Sequence, residues 1–336
     1  MKRALATIAK IDKIYEHPNA DHLEIALIRG WQVIVLKNNY QEGERVIFFE
    51  IDSFIPTYDE FKFLEKSCLR EVEGIKGYRI KTVRLRGELS QGLITKLDFL
   101  NTIKYGDQWT DKPIGTDVTE LLGVLNYNDL EMGDFISSPS YVLKREEDRV
   151  QNLTNKWDYY KKLRYYTTEK LEGMRCSIWK IPNGEVQFGM KNKLINTSDH
   201  PFVLKMNELG VPNVLKEMDE PLLLAGELIG PKIQGNYYKL AKHKFFAFTL
   251  YNYKDYRRKS YKEYSEFCFV HNIPMVPLIY FNIRLPEDPL TLVALANGKS
   301  RINQEVMREG LIYRSIDTND GFKVIDNEFL INNDLI

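Results

Sequence analysis

Only three cysteines, Cys68, Cys176 and Cys268, occur in 336 residues, and no two of them form a CxxC pair. Thiols this sparse exclude a disulfide framework and a structural zinc site, and they fit a reducing compartment. Long apolar runs are missing as well. No stretch approaches the roughly 20 apolar residues of a membrane helix. The opening MKRALATIAKIDKIYEH is broken by charge every few positions, unlike a signal peptide. A soluble, cytoplasmic protein that touches no membrane is the expectation, with the nucleus left open. Net charge is lacking too: 47 basic residues face 47 acidic ones, so any nucleic-acid surface must be a local basic patch. There is no internal repeat and no low-complexity tract.

What is present is enough chain for two domains with separate cores, and 43% apolar against 28% charged residues. The 20 Tyr and 17 Phe supply rings for cores and for stacking on bases. Residues 1 to about 100 read as strand-rich. Trp31–Leu36 (WQVIVL), Val46–Ile51 (VIFFEI) and Tyr78–Leu85 (YRIKTVRL) are short apolar or β-branched runs between charged turns, which suggests a small sheet or barrel. Breakers at Gly106, Pro113, Gly115 and Gly133 put a boundary near residue 130, giving domains 1–130 and 131–336. In the second half, Arg175–Ile181 and Glu185–Gly189 flank an Asn183-Gly184 turn and predict a hairpin. Leu222–Ile229 and Phe245–Tyr251 predict further strands, and Tyr261–Asn272 and Leu290–Ala296 predict helices. The fold class is α+β, rich in antiparallel sheet.

Thr168-Glu169-Lys170-Leu171-Glu172-Gly173-Met174-Arg175 precedes the hairpin. A lysine nucleophile needs a fixed position, neighbours that tune its charge, and room for a phosphate. Lys170 at a strand entrance, with Gly173 allowing close backbone approach, meets the positional demand. Taken alone, so short a pattern is more often a solvated lysine in a charged loop. Further on, LLAGELIGPKIQGN ends an apolar run in Gly226-Glu227. A carboxylate at the end of a buried strand is costly without a metal or a cation. Glu227 could bind a metal directly, orient its waters or hold a ribose hydroxyl, or it could face water at a strand edge. Phe245-Phe246-Ala247-Phe248 could lend a ring to a purine or simply fill a core. Arg308-Glu309-Gly310 sets another carboxylate before an apolar strand, and Lys323 sits between Phe322 and Val324, which directs its ammonium. Two lysines and two carboxylates converging on a triphosphate and a divalent metal would meet the needs of phosphoryl-group chemistry.

In order and spacing, Lys170-Leu171-Glu172-Gly173, Gly226-Glu227, the Phe245 strand, Glu309-Gly310 and Phe322-Lys323 resemble motifs I, III, IIIa, IV and V of the covalent nucleotidyltransferases. That superfamily comprises DNA ligases, RNA ligases and capping enzymes. Lys144–Leu153 (KREEDRVQNL), with Arg149, Gln151 and Asn152, resembles the segment that RNA ligases carry ahead of the nucleophile. Gly189-Met190-Lys191-Asn192 stands where they usually have Ser-Arg-Asn. His17-Pro18-Asn19-Ala20-Asp21 followed by Leu23 is similar to the opening of tRNA-binding OB modules. Arg84-Leu85-Arg86-Gly87 and Ser90-Gln91-Gly92-Leu93 resemble the OB module of the fifth family of ATP-dependent RNA ligases, where that module comes first.

The resemblance implies an N-terminal OB barrel and a nucleotidyltransferase domain. It implies an ATP-dependent RNA ligase acting on nicked or broken RNA, a duplex with an RNA 3′-OH strand, and working as a monomer. Lys170 would take AMP from ATP and pass it to an RNA 5′-phosphate, which a 3′-hydroxyl then attacks. Glu227 and Glu309 would hold Mn2+ or Mg2+, Lys323 would contact the α-phosphate, and Phe245 would stack on adenine. Glu169 and Leu171 would border the base, Arg149 could reach the triphosphate, and Glu172, Arg175 and Lys191 complete the nucleotide site. Three positions depart from the family pattern: Glu172 replaces Asp, Lys191 replaces Arg and loses its bidentate fork, and Ile325 replaces a second motif V lysine. A DNA ligase, a capping guanylyltransferase and a non-catalytic RNA-binding protein on a ligase scaffold are the rivals. His17 and His22 around Asp21 could suggest a metal site, although the OB resemblance already explains the segment. The basic tract Lys254–Lys262 could track a phosphate backbone or be a solvated helix start.

Overall fold

In the computed structural model, residues 3–72, 74–103, 109–130, 147–181, 184–190, 193–195 and 197–334 are described. Their contacts divide the chain into two compact units, Met1–Asp134 with Leu330–Ile336, and Phe135–Phe329.

The first unit is built from short antiparallel strands. Trp31–Leu36 alternates buried and half-buried residues and pairs with Leu23–Ile28 across a two-residue turn. Both turn residues, Arg29 (φ 49°) and Gly30 (φ 83°), are left-handed, the geometry that matches the twist of a tight hairpin. Arg45–Phe49 lies between Ala6–Lys10 and Leu93–Lys96. Its apolar run is continuous because both faces are buried: Ile47 and Phe49 enter one core, Val46 and Phe48 another. The single strand expected over Tyr78–Leu85 is two strands, Ile75–Arg79 and Thr82–Leu85. Ile80 exchanges backbone hydrogen bonds with Asp52 and Ser53 and packs into a core, so the chain turns there and enters a different sheet.

The second unit contains two sheets. One runs Lys193–Leu194, Val186–Met190, Met174–Lys180, Leu222–Ile229, Lys244–Asn252, Arg257–Arg258; the other runs Asp148–Arg149, Gly321–Ile325, Gly310–Ser315, Tyr165–Lys170, Leu278–Ile283. The expected hairpin is present, although Pro182 and Asn183 of its turn lie outside the described residues. Helices Pro201–Glu208, Val211–Glu217 and Tyr261–Val270 bury Phe202, Met206, Leu215, Tyr264 and Cys268 against Ile178, Leu224 and Phe245 of the first sheet. Ser260 and Glu263 close the Tyr261–Val270 helix with a capping box, so the end of the basic tract is a helix start. Within that tract Arg257 pairs with Glu263 and Lys259 with Glu220. Thr291–Ala296 is a helix of six residues, too short to hold itself in water. It persists because Leu292 and Ala296 are buried beside Leu311, Tyr313 and Val324 of the second sheet.

Candidate active site

Strand pleating decides which side chains can meet. In the five-stranded sheet, Lys170 lies opposite Gly310, and Gly310 opposite Ile325. The next row on the same face runs Thr168, Ile312, Lys323, Arg149. Lys170, Lys323 and Arg149 therefore share one face of this sheet. Ile325, the apolar departure from the family pattern, occupies the row of Lys170 itself.

The six-stranded sheet supplies the other wall. Arg175, Glu227 and Phe246 form one cross-strand row. Gly173 fixes how closely the lysine loop meets this sheet: a Cβ there would fall 2.6 Å from Ile229 Cγ2 and 2.9 Å from Glu227 Cγ, so no other residue fits. Gly226 is as tightly enclosed, with a Cβ position 2.3 Å from the Phe245 ring.

Lys170 Nζ donates a hydrogen bond to Glu309 Oε1, forming an ion pair in which Glu309 is nearly inaccessible. Burial disfavours the ammonium, but the charges of Glu309, Glu172 and Glu227 outweigh it and raise the lysine above its ordinary value. Burial pushes the Glu227 carboxyl up to about 8; Lys170 and Arg175 pull it down, while Glu309 and Glu172 push it further up. Three carboxylates thus act on one site against Lys170 and Arg175. The second oxygen of Glu309 is buried and accepts no hydrogen bond among the described residues. Surplus negative charge and an orphaned carboxylate oxygen fit a divalent cation. Among the described residues, no three His, Cys, Asp or Glu side chains converge as a direct ligand set.

Phe245 does not face this site. Its side chain is 1% exposed, packed 5.4 Å from the Phe202 ring within the helix-covered core, and no face remains for a base. The cause is a bulge: the pairing of Leu222–Ile229 with Lys244–Asn252 slips between Ala225 and Gly226. The extra residue reverses the alternation. Phe246 and Phe248 consequently lie on the Glu227 side, half-buried, with the Arg175 guanidinium 5.6 Å from the Phe248 ring centre. Leu171 is buried with Ile229, Tyr238 and Val276. Glu169 points to the opposite face of its strand from Lys170, where its carboxylate accepts the Arg301 backbone N–H at 2.8 Å. Lys191, with Lys144, lies outside the described residues.

Several contributors escaped the sequence reading. Glu147 accepts a hydrogen bond from Arg314 and lies 3.7 Å from Arg258, and the cations Arg314, Arg258 and Arg175 overcome its burial to hold it ionised. Arg258 in turn donates to Thr249 Oγ1 of the six-stranded sheet. Arg308 closes the Thr291–Ala296 helix, donating to the carbonyls of Ala296, Leu295 and Asn297 at 2.8–2.9 Å, and so anchors the residue before Glu309. Only the charged residue types were visible in the sequence; their pairings join positions far apart.

Residues 163–325 match the family model described as RNA ligase, and residues 5–97 match an OB-fold domain. No curated protein matches the chain in sequence. Among solved structures, the Naegleria gruberi RNA ligase with PPi is 29% identical at a TM-score of 0.87, covering 98% of each chain. A mutant of that ligase with AMP and Mn is 28% identical at 0.87, covering 98% of each. Another, with ATP and Mn, is 28% identical at 0.87, covering 99% of this chain and 98% of that one.

Proposed function

From the premise that this chain carries a domain of the RNA ligase family behind an OB-fold domain, we propose that it is an ATP-dependent RNA ligase that joins 3′-hydroxyl and 5′-phosphate ends, at nicks in a duplex whose 3′-hydroxyl strand is RNA. Residues 1–130 are the OB module in this reading and 131–336 the ligase domain, with Leu330–Ile336 grouped with the first unit. The observation that carries it is the Lys170–Glu309 pair facing Glu227, with Lys323 and Arg149 on the same sheet face as the lysine.

Lys170, released from Glu309 and deprotonated to solvent, attacks the α-phosphorus of ATP. The Nζ–P bond forms, the bond from the α-phosphorus to its bridging oxygen breaks, and pyrophosphate leaves. Lys323 lies across the face to offset charge on the α-phosphate, and Arg149 beyond it serves the leaving group. Glu227 and Glu309 would hold Mn2+ or Mg2+, whose charge offsets that of the triphosphate. Phe246 or Phe248 replaces Phe245 as the ring for adenine. An RNA 5′-phosphate then takes the AMP from Lys170, and a 3′-hydroxyl displaces AMP to close the strand. The Naegleria gruberi ligase, in its complexes with ATP, AMP, Mn and PPi, supports this chemistry for the shared fold. The three free cysteines fit a reducing compartment, and among the described residues no helix is long and apolar enough to cross a membrane.

Intact-mass measurement after incubation with ATP and Mn2+ should show one added AMP, mapped to Lys170 and absent from Lys170→Ala. A wild-type protein that takes up no AMP sinks the proposal. Nicks with RNA on the 3′-hydroxyl side should seal faster than the all-DNA equivalent; the reverse preference would favour a DNA ligase.

A further inference from the structure

Between Gly230 and His243 the chain forms a closed loop. At its base His243 Nε2 meets the Pro231 carbonyl at 2.8 Å, and Gly230 (φ 136°) lets the two ends approach, since a Cβ there would lie 2.9 Å from His243 Cα. Inside it, Lys232, Gln234, Gly235, Asn236 and Lys239 all have positive φ. Four of these are not glycine, and such strain persists only where surrounding contacts over-determine the backbone. The Asn236 side chain supplies part of that, donating to the Leu240 carbonyl at 2.9 Å and accepting the Leu240 N–H at 3.0 Å. Compact loops closed this way are often functional.

The strain presents two consecutive tyrosines to two catalytic segments. Tyr238, 1% exposed, accepts the backbone N–H of Glu172 on its hydroxyl at 2.8 Å, two residues after Lys170. Tyr237 donates its hydroxyl to the Met307 carbonyl at 2.7 Å, two residues before Glu309. Two further contacts grip the second segment: Asn303 Nδ2 donates to the Tyr238 carbonyl at 3.1 Å, and Lys239 pairs with Glu305 at 3.6 Å. The rings meet edge to face, 5.3 Å between centres, a favourable aromatic pair. Both partners are backbone groups that must find a bond when buried.

We infer that Tyr237 and Tyr238 are positioning residues for adenylyl transfer, holding the lysine loop and the segment that leads into Glu309 in register with each other. The inference rests on the ligase reading above. Lys170 and Glu309 lie where their strands stop pairing: Lys170 sits opposite Gly310 in the last rung, and just beyond it the Glu309 carbonyl accepts the Asp326 N–H at 2.9 Å. The tyrosine pair adds a second tie, through side chains, where that ladder ends.

Single-turnover adenylylation of the full chain with ATP and Mn2+ tests this, using Tyr238→Phe and Tyr237→Phe, which keep the rings. Tyr238→Phe should slow the saturated rate about tenfold with KM for ATP nearly unchanged, because alignment rather than binding is lost. Sealing of RNA supplied already adenylylated should fall far less. Tyr237→Phe should raise the Mn2+ concentration for half-maximal rate about fivefold, since Glu309 is the carboxylate it places. If the wild type takes up AMP and both variants match it, or differ from it only in melting temperature, the inference is overturned alone. If the wild type takes up no AMP, the functional reading falls and this inference with it.

Discussion

His17 in the first unit and Lys170 in the second each stand in a short signature, yet their surroundings are opposite. His17 is buried with its polar atoms spoken for. Its Nδ1 accepts the Asn19 N–H and its Nε2 donates to the Leu85 carbonyl, both at 3.1 Å, while Asn19 Nδ2 donates to the Arg86 carbonyl. His22 is exposed, and both His17 nitrogens are already engaged, which leaves that ring no nitrogen for a metal. The His-Pro-Asn segment is a pin that docks one loop onto the Leu85–Gly87 turn. Around Lys170 the count does not close: three carboxylates face Lys170 and Arg175, and an oxygen of Glu309 has no partner among the described residues. A signature whose polar groups are all satisfied serves the fold. One left with surplus charge is waiting for something that the chain alone does not supply.

The sharpest way to break this contrast is to remove the surplus. Glu309→Gln should slow AMP uptake by about a hundredfold at saturating ATP, while the metal-free protein melts close to wild type, because the amide oxygen can still accept from Lys170 and the charges of Glu172 and Glu227 remain beside it. A large drop in melting temperature would make Glu309 a structural residue like His17. The converse substitution, His17→Ala, should cost the first unit about 2 kcal/mol in urea unfolding through two lost hydrogen bonds and an orphaned carbonyl. AMP uptake by the remaining folded protein should not change.

The smallest expected effect is in pH. The Glu227 carboxyl titrates near 8 in the folded chain, above its unfolded range around 4.5. The folded state therefore binds the proton more tightly. Its contribution to stability is fully present below about 4.5 and is lost as pH rises through about 8. Melting temperatures of the metal-free protein should fall across that window, and Glu227→Gln should flatten the curve. An equal slope in the variant would assign the effect to another group.

Much of this was legible in the sequence. Trp31–Leu36 and Leu222–Ile229 were readable as strands from their apolar patterning, whereas Lys170, Glu227, Glu309 and Lys323 stood out as one group only through their ordered resemblance to the nucleotidyltransferase motifs. What escaped depends on geometry that no local pattern carries. A single bulge residue reverses the faces of Phe245 and Phe246, and strict alternation cannot register it. Tyr237 and Tyr238 act on backbone groups 70 and 66 residues away, so no side-chain partner advertises them. Glu147, Arg258 and Arg314 look like ordinary surface charges until the fold buries them together.

Arg308 ties the working temperature of the site to an element well removed from the chemistry. Its guanidinium is held by the last carbonyls of a six-residue helix, and the next residue along the chain is Glu309. Short elements open locally at free energies well below that of global unfolding. As the Thr291–Ala296 turn frays on warming, Arg308 loses its anchors and Glu309 its fixed approach, while both sheets remain intact. Loss of AMP uptake on warming is therefore expected before loss of the sheets, the first governed by one turn of helix and the second by global unfolding.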